Sequence, residues 1–273
     1  MTDRYAVIGN PIAHSKSPQI HAQFAAQTGQ DLQYEKLLAP LDGFAATADQ
    51  FRAAGGKGAN VTVPFKLDAA RYATRLTPAA QQAGAVNTLI FHAAEVVGDN
   101  TDGIGLVRDL THNLQQLLRG RRILLLGAGG AARGVLQPLL DEKPAALVLA
   151  NRTLAKALEL AALFQQKTPT QMRPCGFAEL AGQSFDVVVN ATASSLQDEA
   201  PPLPAGVYAP GALAYDLMYA PQPTAFMRAA QAAGAARVCD GLGMLVEQAA
   251  QSFYLWRGVR PDTAPVLVAL RAA

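Results

Sequence analysis

Cysteine is scarce in this chain of 273 residues. Cys175 and Cys239 are the only two, and neither belongs to a CxxC pair. The four histidines show no metal-ligand spacing, so a disulfide framework and a zinc site are both excluded as expectations. Charge is scarce as well, at 16 % of residues with a formal net charge of +2, and no basic run concentrates it. That argues against nucleic acid as the main partner and leaves small anions open. No apolar run approaches the length of a membrane span. The opening "MTDRYAVIGNP" is polar and then strand-like, unlike a signal peptide. What is abundant is apolar residue, 50 % of the chain, enough to fill two cores and to disfavour disorder. The expectation is a soluble, cytoplasmic protein with reduced thiols, a small-molecule ligand and no membrane partner.

Short β-branched or apolar runs alternate with Ala- and Leu-rich helical patterns, which favours an α/β architecture with mostly parallel sheets. "YAVIG" reads as a strand. "SPQIHAQFAAQTG" reads as a helix with Ser17 as N-cap, Pro18 in the first turn and Gly29 past the end. "YEKLLA" and "GANVTV" are further strands around the helix "DGFAATADQFRAAGG", followed by the short pair "NTLIFH" and "EVVGD". "DGIGLVRDLTHNLQQLLRG" reads as one long helix ending at Gly120. After it come the strands "RRILLL", "AALVLA", "FDVVVNAT", "GALAYDLMY" and "ARVCD", interleaved with helices. The chain closes on the helical pattern "GMLVEQAAQSFYLWRG" and a short one after Pro261.

The sharpest local pattern is "RRILLLGAGGAARG", in which Gly127, Gly129 and Ala132 fit G-x-G-x-x-G/A between a strand and a helix. Gly127 permits the turn, Gly129 lets a pyrophosphate approach the backbone, and Ala132 lets helix pack on strand. The helix N-terminus adds N–H groups and a positive dipole end. At the end of the next strand, where an acidic residue would take the ribose 2′-hydroxyl of NAD, stands "LVLANRTLAK". Arg152 suits a 2′-phosphate, with Lys156 as a second cation, so NADP is the expected cofactor; an ordinary surface arginine is the competing reading.

The first half carries candidate substrate groups. Ser15 and Ser17 in "GNPIAHSKSP" present hydroxyls on one side if extended, although Ser17 also suits a helix cap. "AGAVNT" offers Asn87, and "GDNTDG" offers Asp99, Asn100 and Asp102, the last of which also reads as a plain N-cap or turn residue. Lys66 ends "GANVTVPFK", where a solvated loop lysine is the bland alternative.

The motifs "VIGNPIAHSKSPQIH", "NVTVPFK", "AGAVNT", "DNTDG", "GAGGAARG", "NRT", "NAT", "DLMY" and "DGLGMLVEQAA" occur in this order, and together they resemble the shikimate dehydrogenases from Tyr5 to about Pro261. The resemblance implies NADP-dependent, reversible reduction of 3-dehydroshikimate to shikimate in aromatic amino-acid biosynthesis. It implies an N-terminal substrate domain of residues 1–102, completed by helices in 241–273, and a Rossmann-like domain of residues 103–240, with the site in the cleft between them. Lys66 and Asp102 would form the catalytic pair. Ser15 and Ser17 would hold the substrate carboxylate, and Thr62, Asn87, Tyr219 and Gln248 the carboxylate or ring hydroxyls. Gly127, Ala128, Gly129, Gly130 and Ala131, then Asn151, Arg152, Thr153 and Lys156, then Thr192, Leu217 and Gly241, would line NADP. Leu217 departs from the methionine of many relatives. A quinate/shikimate enzyme that uses NAD equally, and a non-enzymatic ligand sensor on the same scaffold, are the rivals. "NRT" without a nearby acid speaks against the first, and the intact Lys66 and Asp102 speak against the second. A monomer and a homodimer are both compatible with the sequence.

Overall fold

The computed structural model describes residues 2–164 and 170–272. The chain forms two compact units, Met1–Gly105 with Leu245–Ala273, and Leu106–Met244.

The first unit begins with β1 (Asp3–Gly9), α1 (Ser17–Thr28), β2 (Leu32–Leu38), α2 (Phe44–Ala53) and β3 (Gly56–Val61). It continues through α3 (Lys66–Tyr72), β4 (Arg75–Leu76), α4 (Pro78–Ala83), β5 (Thr88–Phe91), β6 (Val96–Asp99) and α5 (Asp102–Arg108). Its sheet has the order β2-β1-β3-β5-β6-β4. Strands β1, β2 and β3 are parallel, while β5 runs antiparallel to both β3 and β6. The unbroken apolar run of β1 fits a strand covered on both faces. One face is filled by Ile8, Phe44, Phe51, Val61, Phe65 and Leu89.

The second unit comprises β7 (Arg122–Leu126), α6 (Gly130–Asp141), β8 (Ala146–Ala150), α7 (Leu154–Phe164), β9 (Gln171–Cys175), β10 (Phe185–Asn190), β11 (Tyr208–Asp216), α8 (Ala225–Ala232) and β12 (Arg237–Cys239). All its strand pairs are parallel, in the order β12-β11-β10-β7-β8-β9, the doubly wound arrangement of a Rossmann sheet. Cores on both faces explain why β7 and β10 are apolar without alternation. Strand order reverses between β7 and β10, and their carboxyl ends therefore open a crevice suited to a ligand. Helices α9 (Leu242–Arg257) and α10 (Ala264–Ala272) close the chain. Among the described residues no helix is long and apolar enough to cross a membrane.

Two expectations need correction, and four short elements go unread. The helix expected to run to Gly120 is α5 followed by one widened turn over Asp109–Asn113, and the chain then turns at Gln115 with φ 52°. Asp109 is buried, accepting the Tyr215 hydroxyl at 2.6 Å, so tertiary pairing overrides the local helical pattern. Ser17 is the first helical residue of α1 rather than its cap; Lys16 holds the cap position. Elements α3, α4, β4 and β9 are not legible in the sequence because they are too short to show periodicity, and β9 contains Pro174, tolerable there because it is an edge strand.

Candidate active site

Lys66 is placed by its neighbours. Phe65 is fully buried and stacks on Phe44 with centroids 5.5 Å apart, a side chain whose truncation costs about 3–5 kcal/mol. The Phe65 N–H donates to Thr62 O at 2.9 Å, and Val86 N–H donates to Lys66 O at 2.9 Å. Backbone so fixed aims the side chain, and Lys66 Nζ meets Asp102 Oδ2 at 2.6 Å. The lysine side chain keeps 25 % exposure against 8 % for the aspartate, so the pair has one face open to an incoming group.

Asp102 opens α5, yet the turn is capped by others. Its own N–H donates to Asn100 Oδ1 at 3.1 Å, which leaves its carboxylate for Lys66 and Asn87. Asn87 Nδ2 donates to Asp102 Oδ1 at 2.8 Å and lies 3.0 Å from Thr101 Oγ1 and 3.3 Å from Gln248 Oε1. Asn87 Oδ1 accepts the Thr101 N–H at 2.9 Å, so the amide has one orientation. Four of the expected residues, Lys66, Asn87, Asp102 and Gln248, therefore form one hydrogen-bonded cluster in the first unit.

Ser15 and Thr62 sit on the loops that leave β1 and β3, and Ser17 opens α1 just beyond the first of them. Those loops are sewn together by Thr62 N–H to Ile8 O and Asn10 N–H to Val63 O, both at 3.0 Å. Ser15 Oγ accepts the Ser17 N–H at 3.3 Å. Burial pushes the Tyr34 phenol well above its usual pKa, opposed by the neighbouring Ser17 side chain. Among the described residues, no side-chain hydrogen bond joins Ser15 or Thr62 to the Lys66 cluster. Tyr219 belongs to the second unit, half-buried, its phenol pushed up by burial.

The remaining expected residues lie along the carboxyl ends of β7, β8, β10, β11 and β12. Gly127 has φ 105° and lies under the Ala191 carbonyl, so backbone conformation and close approach both require glycine. Gly129 and Gly130 have neither reason. A Cβ on either would meet nothing within 4 Å, and the N-terminus of α6 has no side-chain cap. Open space over uncapped N–H groups fits an incoming pyrophosphate. Ala128 is half-buried and Ala131 exposed beside this turn. At the end of β8, Asn151 Nδ2 donates to Thr153 O at 2.8 Å and shapes the turn. Arg152 and Lys156 project exposed from it, which suits a 2′-phosphate. Thr192 donates from N–H and Oγ1 to Asn190 Oδ1, and Leu217 N–H donates to Asn190 O at 2.9 Å. Gly241 N–H donates to Met218 O at 2.9 Å, and a Cβ at Gly241 would strike the Leu217 carbonyl. These segments are thus stitched into one rim.

Residues 7–89 match the model of the shikimate dehydrogenase substrate binding domain, residues 109–197 that of shikimate / quinate 5-dehydrogenase, and residues 241–271 that of the shikimate 5'-dehydrogenase C-terminal domain. A protein of Aromatoleum aromaticum named shikimate dehydrogenase (NADP(+)) is 63% identical over 98% of this chain and 97% of its own. The chain belongs to the shikimate dehydrogenase family. Another relative of that name, from Herminiimonas arsenicoxydans, is 63% identical over 100% of this chain and 98% of its own. The crystal structure of shikimate 5-dehydrogenase from Thermus thermophilus, in complex with NADP(H) and shikimate, superposes with a TM-score of 0.87 at 35% identity, covering 99% of both chains.

Within the motif "NVTVPFK", this shikimate dehydrogenase fold reveals a part played by Asn60, to which the sequence alone assigns no role. Tyr34 OH donates to Asn60 Oδ1 at 2.8 Å, and Asn60 Nδ2 lies 3.2 Å from Asn87 O and 2.9 Å from Ser252 Oγ. A buried chain of hydrogen bonds therefore runs from Tyr34 through Asn60 to Asn87. Its signal is an amide inside the apolar strand β3, where a polar side chain needs a partner. His21 packs beside it, stacked on Tyr34 at 4.2 Å, with neither ring nitrogen hydrogen-bonded. Burial pushes its pKa down to about 3, and the neighbouring Asn60 opposes this only weakly.

Proposed function

We propose that this chain catalyses the NADP-dependent, reversible reduction of 3-dehydroshikimate to shikimate, with the first unit holding the substrate and the second the cofactor. The single observation that carries the reading is the Lys66–Asp102 pair fixed by Asn87 and flanked by Gln248.

When bound, NADPH supplies hydride to the carbonyl carbon. The chain must then deal with the charge that grows on oxygen. Lys66 donates a proton from Nζ to that oxygen, and its partial exposure lets solvent restore it. Asp102 holds Nζ in one direction through Oδ2, while Asn87 holds Asp102 through Oδ1, so little rearrangement accompanies the reaction. Ser15 and Ser17 bind the substrate carboxylate with neutral hydroxyls. Thr62, Asn87, Tyr219 and Gln248 hold the carboxylate or ring hydroxyls. Gly127 to Ala131, Asn151 to Thr153, Lys156, Thr192, Leu217 and Gly241 hold NADP, with Arg152 on the 2′-phosphate. We place the protein in the cytoplasm, on the strength of a sequence with only two cysteines and no CxxC spacing, as a monomer or homodimer.

The test is a steady-state assay of the purified protein with shikimate or quinate against NADP or NAD, followed by absorbance of the reduced nicotinamide. The highest kcat/KM is expected with shikimate and NADP. Turnover with none of the four pairs would overturn the reading.

A further inference from the structure

Asp216, the last residue of β11, is fully buried, and no cation among the described residues reaches it. Its Oδ1 accepts Asn190 Nδ2 and the Met218 N–H, each at 3.1 Å. Its Oδ2 accepts the Ser195 hydroxyl at 2.7 Å and the Thr224 hydroxyl at 2.6 Å. A carboxylate taken out of water without a counter-charge is tolerated only when its lone pairs are filled, and four donors fill them.

Those donors come from two connections: Asn190 and Ser195 where the chain leaves β10, Met218 and Thr224 where it runs from β11 to α8. Asn190 ends β10, directly opposite Asp216 in the sheet, and its Oδ1 receives both the N–H and the hydroxyl of Thr192. Met218 follows Leu217 and receives the Gly241 N–H on its carbonyl. Thr224 caps α8 by accepting the Met227 N–H. One buried charge is thus the common acceptor for the loops that carry Thr192 and Leu217, and through the Met218 carbonyl it reaches the loop of Gly241. An apolar residue would serve packing there equally well, but it could not bind these loops in register.

We infer that Asp216 is a positioning residue for the cofactor, acting through Asn190 and Met218 to hold Thr192 and Leu217 in binding register. The inference rests on the reading that these residues contact NADP. It implies a bias. Weakening the hub loosens the cofactor rim and leaves the Lys66–Asp102 cluster, which belongs to the other unit, intact.

The experiment measures two affinities separately for Asp216→Asn: NADPH by its fluorescence, and shikimate by calorimetry without cofactor. The amide keeps the volume but offers one acceptor oxygen and sets an NH2 against existing donors. The dissociation constant for NADPH should rise about tenfold or more, while that for shikimate, which meets these loops at Tyr219 alone, should rise by no more than about threefold. If D216N does not fold, Thr224→Val is the measurement, because Thr224 lies outside the cofactor rim and its loss removes one Oδ2 donor. It should weaken NADPH about two- to fivefold, with a smaller effect on shikimate. Unchanged NADPH affinity, or an equal loss for both ligands, overturns the inference while wild-type binding of NADPH keeps the functional reading intact. Wild-type protein that binds no NADPH overturns both.

Discussion

Asn87 donates from Nδ2 to Asp102 Oδ1 at 2.8 Å, while Asp102 Oδ2 lies 2.6 Å from Lys66 Nζ. Both carboxylate oxygens are therefore committed, and the direction of the lysine depends on an amide it does not touch. Replacing Asn87 by Ala leaves Oδ1 without its amide partner and removes a proposed substrate contact. The Michaelis constant for shikimate should rise about tenfold and turnover should also fall, with the NADP constant little changed. Steady-state kinetics with each substrate varied in turn check this.

Ser17 is buried, does not cap α1, and lies beside the buried Tyr34 phenol. Ser17→Ala should weaken shikimate binding about tenfold while the melting temperature falls by no more than about 3 °C, the worth of one neutral hydrogen bond in a chain this size. Unimpaired binding with a larger thermal loss would give the serine a purely internal role.

Arg152 stands exposed at the end of β8 beside the uncapped turn of α6. Arg152→Ala should raise the Michaelis constant for NADP by about one to two decades and leave that for NAD nearly unchanged. An equal loss with both cofactors would remove the guanidinium from the 2′-phosphate.

His21 ties stability to pH. Burial holds its folded-state pKa at about 3, below the ordinary 6.5, so the unfolded chain binds the extra proton first. Stability from this residue is complete above the unfolded value and is lost as pH falls toward the folded one. Between pH 7 and pH 5 the loss should be about 2 kcal/mol. Denaturant midpoints across that range should fall in the wild type and hold much flatter in His21→Phe, whatever the variant's stability at pH 7.

The doubly wound sheet is legible in the sequence because β7, β8 and β10 are unbroken apolar runs, each followed by a glycine or Asn-containing turn whose chemistry is local. The site in the first unit is harder to read from residues alone. Lys66 and Asp102 are 36 positions apart, and neither declares itself without the other. Ser17 resembles a cap because Pro18 follows it, yet Lys16 takes that position and Ser17 enters the helix. Asn60 and Asp216 escape the sequence for a shared reason. Each is a buried polar residue whose partners come from distant segments, and spacing along one strand carries no trace of them.

The most direct test of the whole account is the turnover of Lys66→Ala with shikimate and NADP. Nζ acts mainly where the oxygen carries most charge, so the chemical step should suffer more than binding. Turnover should fall by about 10²–10⁴, the range for a positioned acid or base. The Michaelis constant for shikimate should move by less than about tenfold, and NADP binding should be intact. The double variant with Asp102→Ala should lose far less than the product of the two single losses, since the pair works as one unit. Near-normal turnover in Lys66→Ala, with NADP still bound, would contradict the account and leave the Lys66–Asp102 pair a purely structural one.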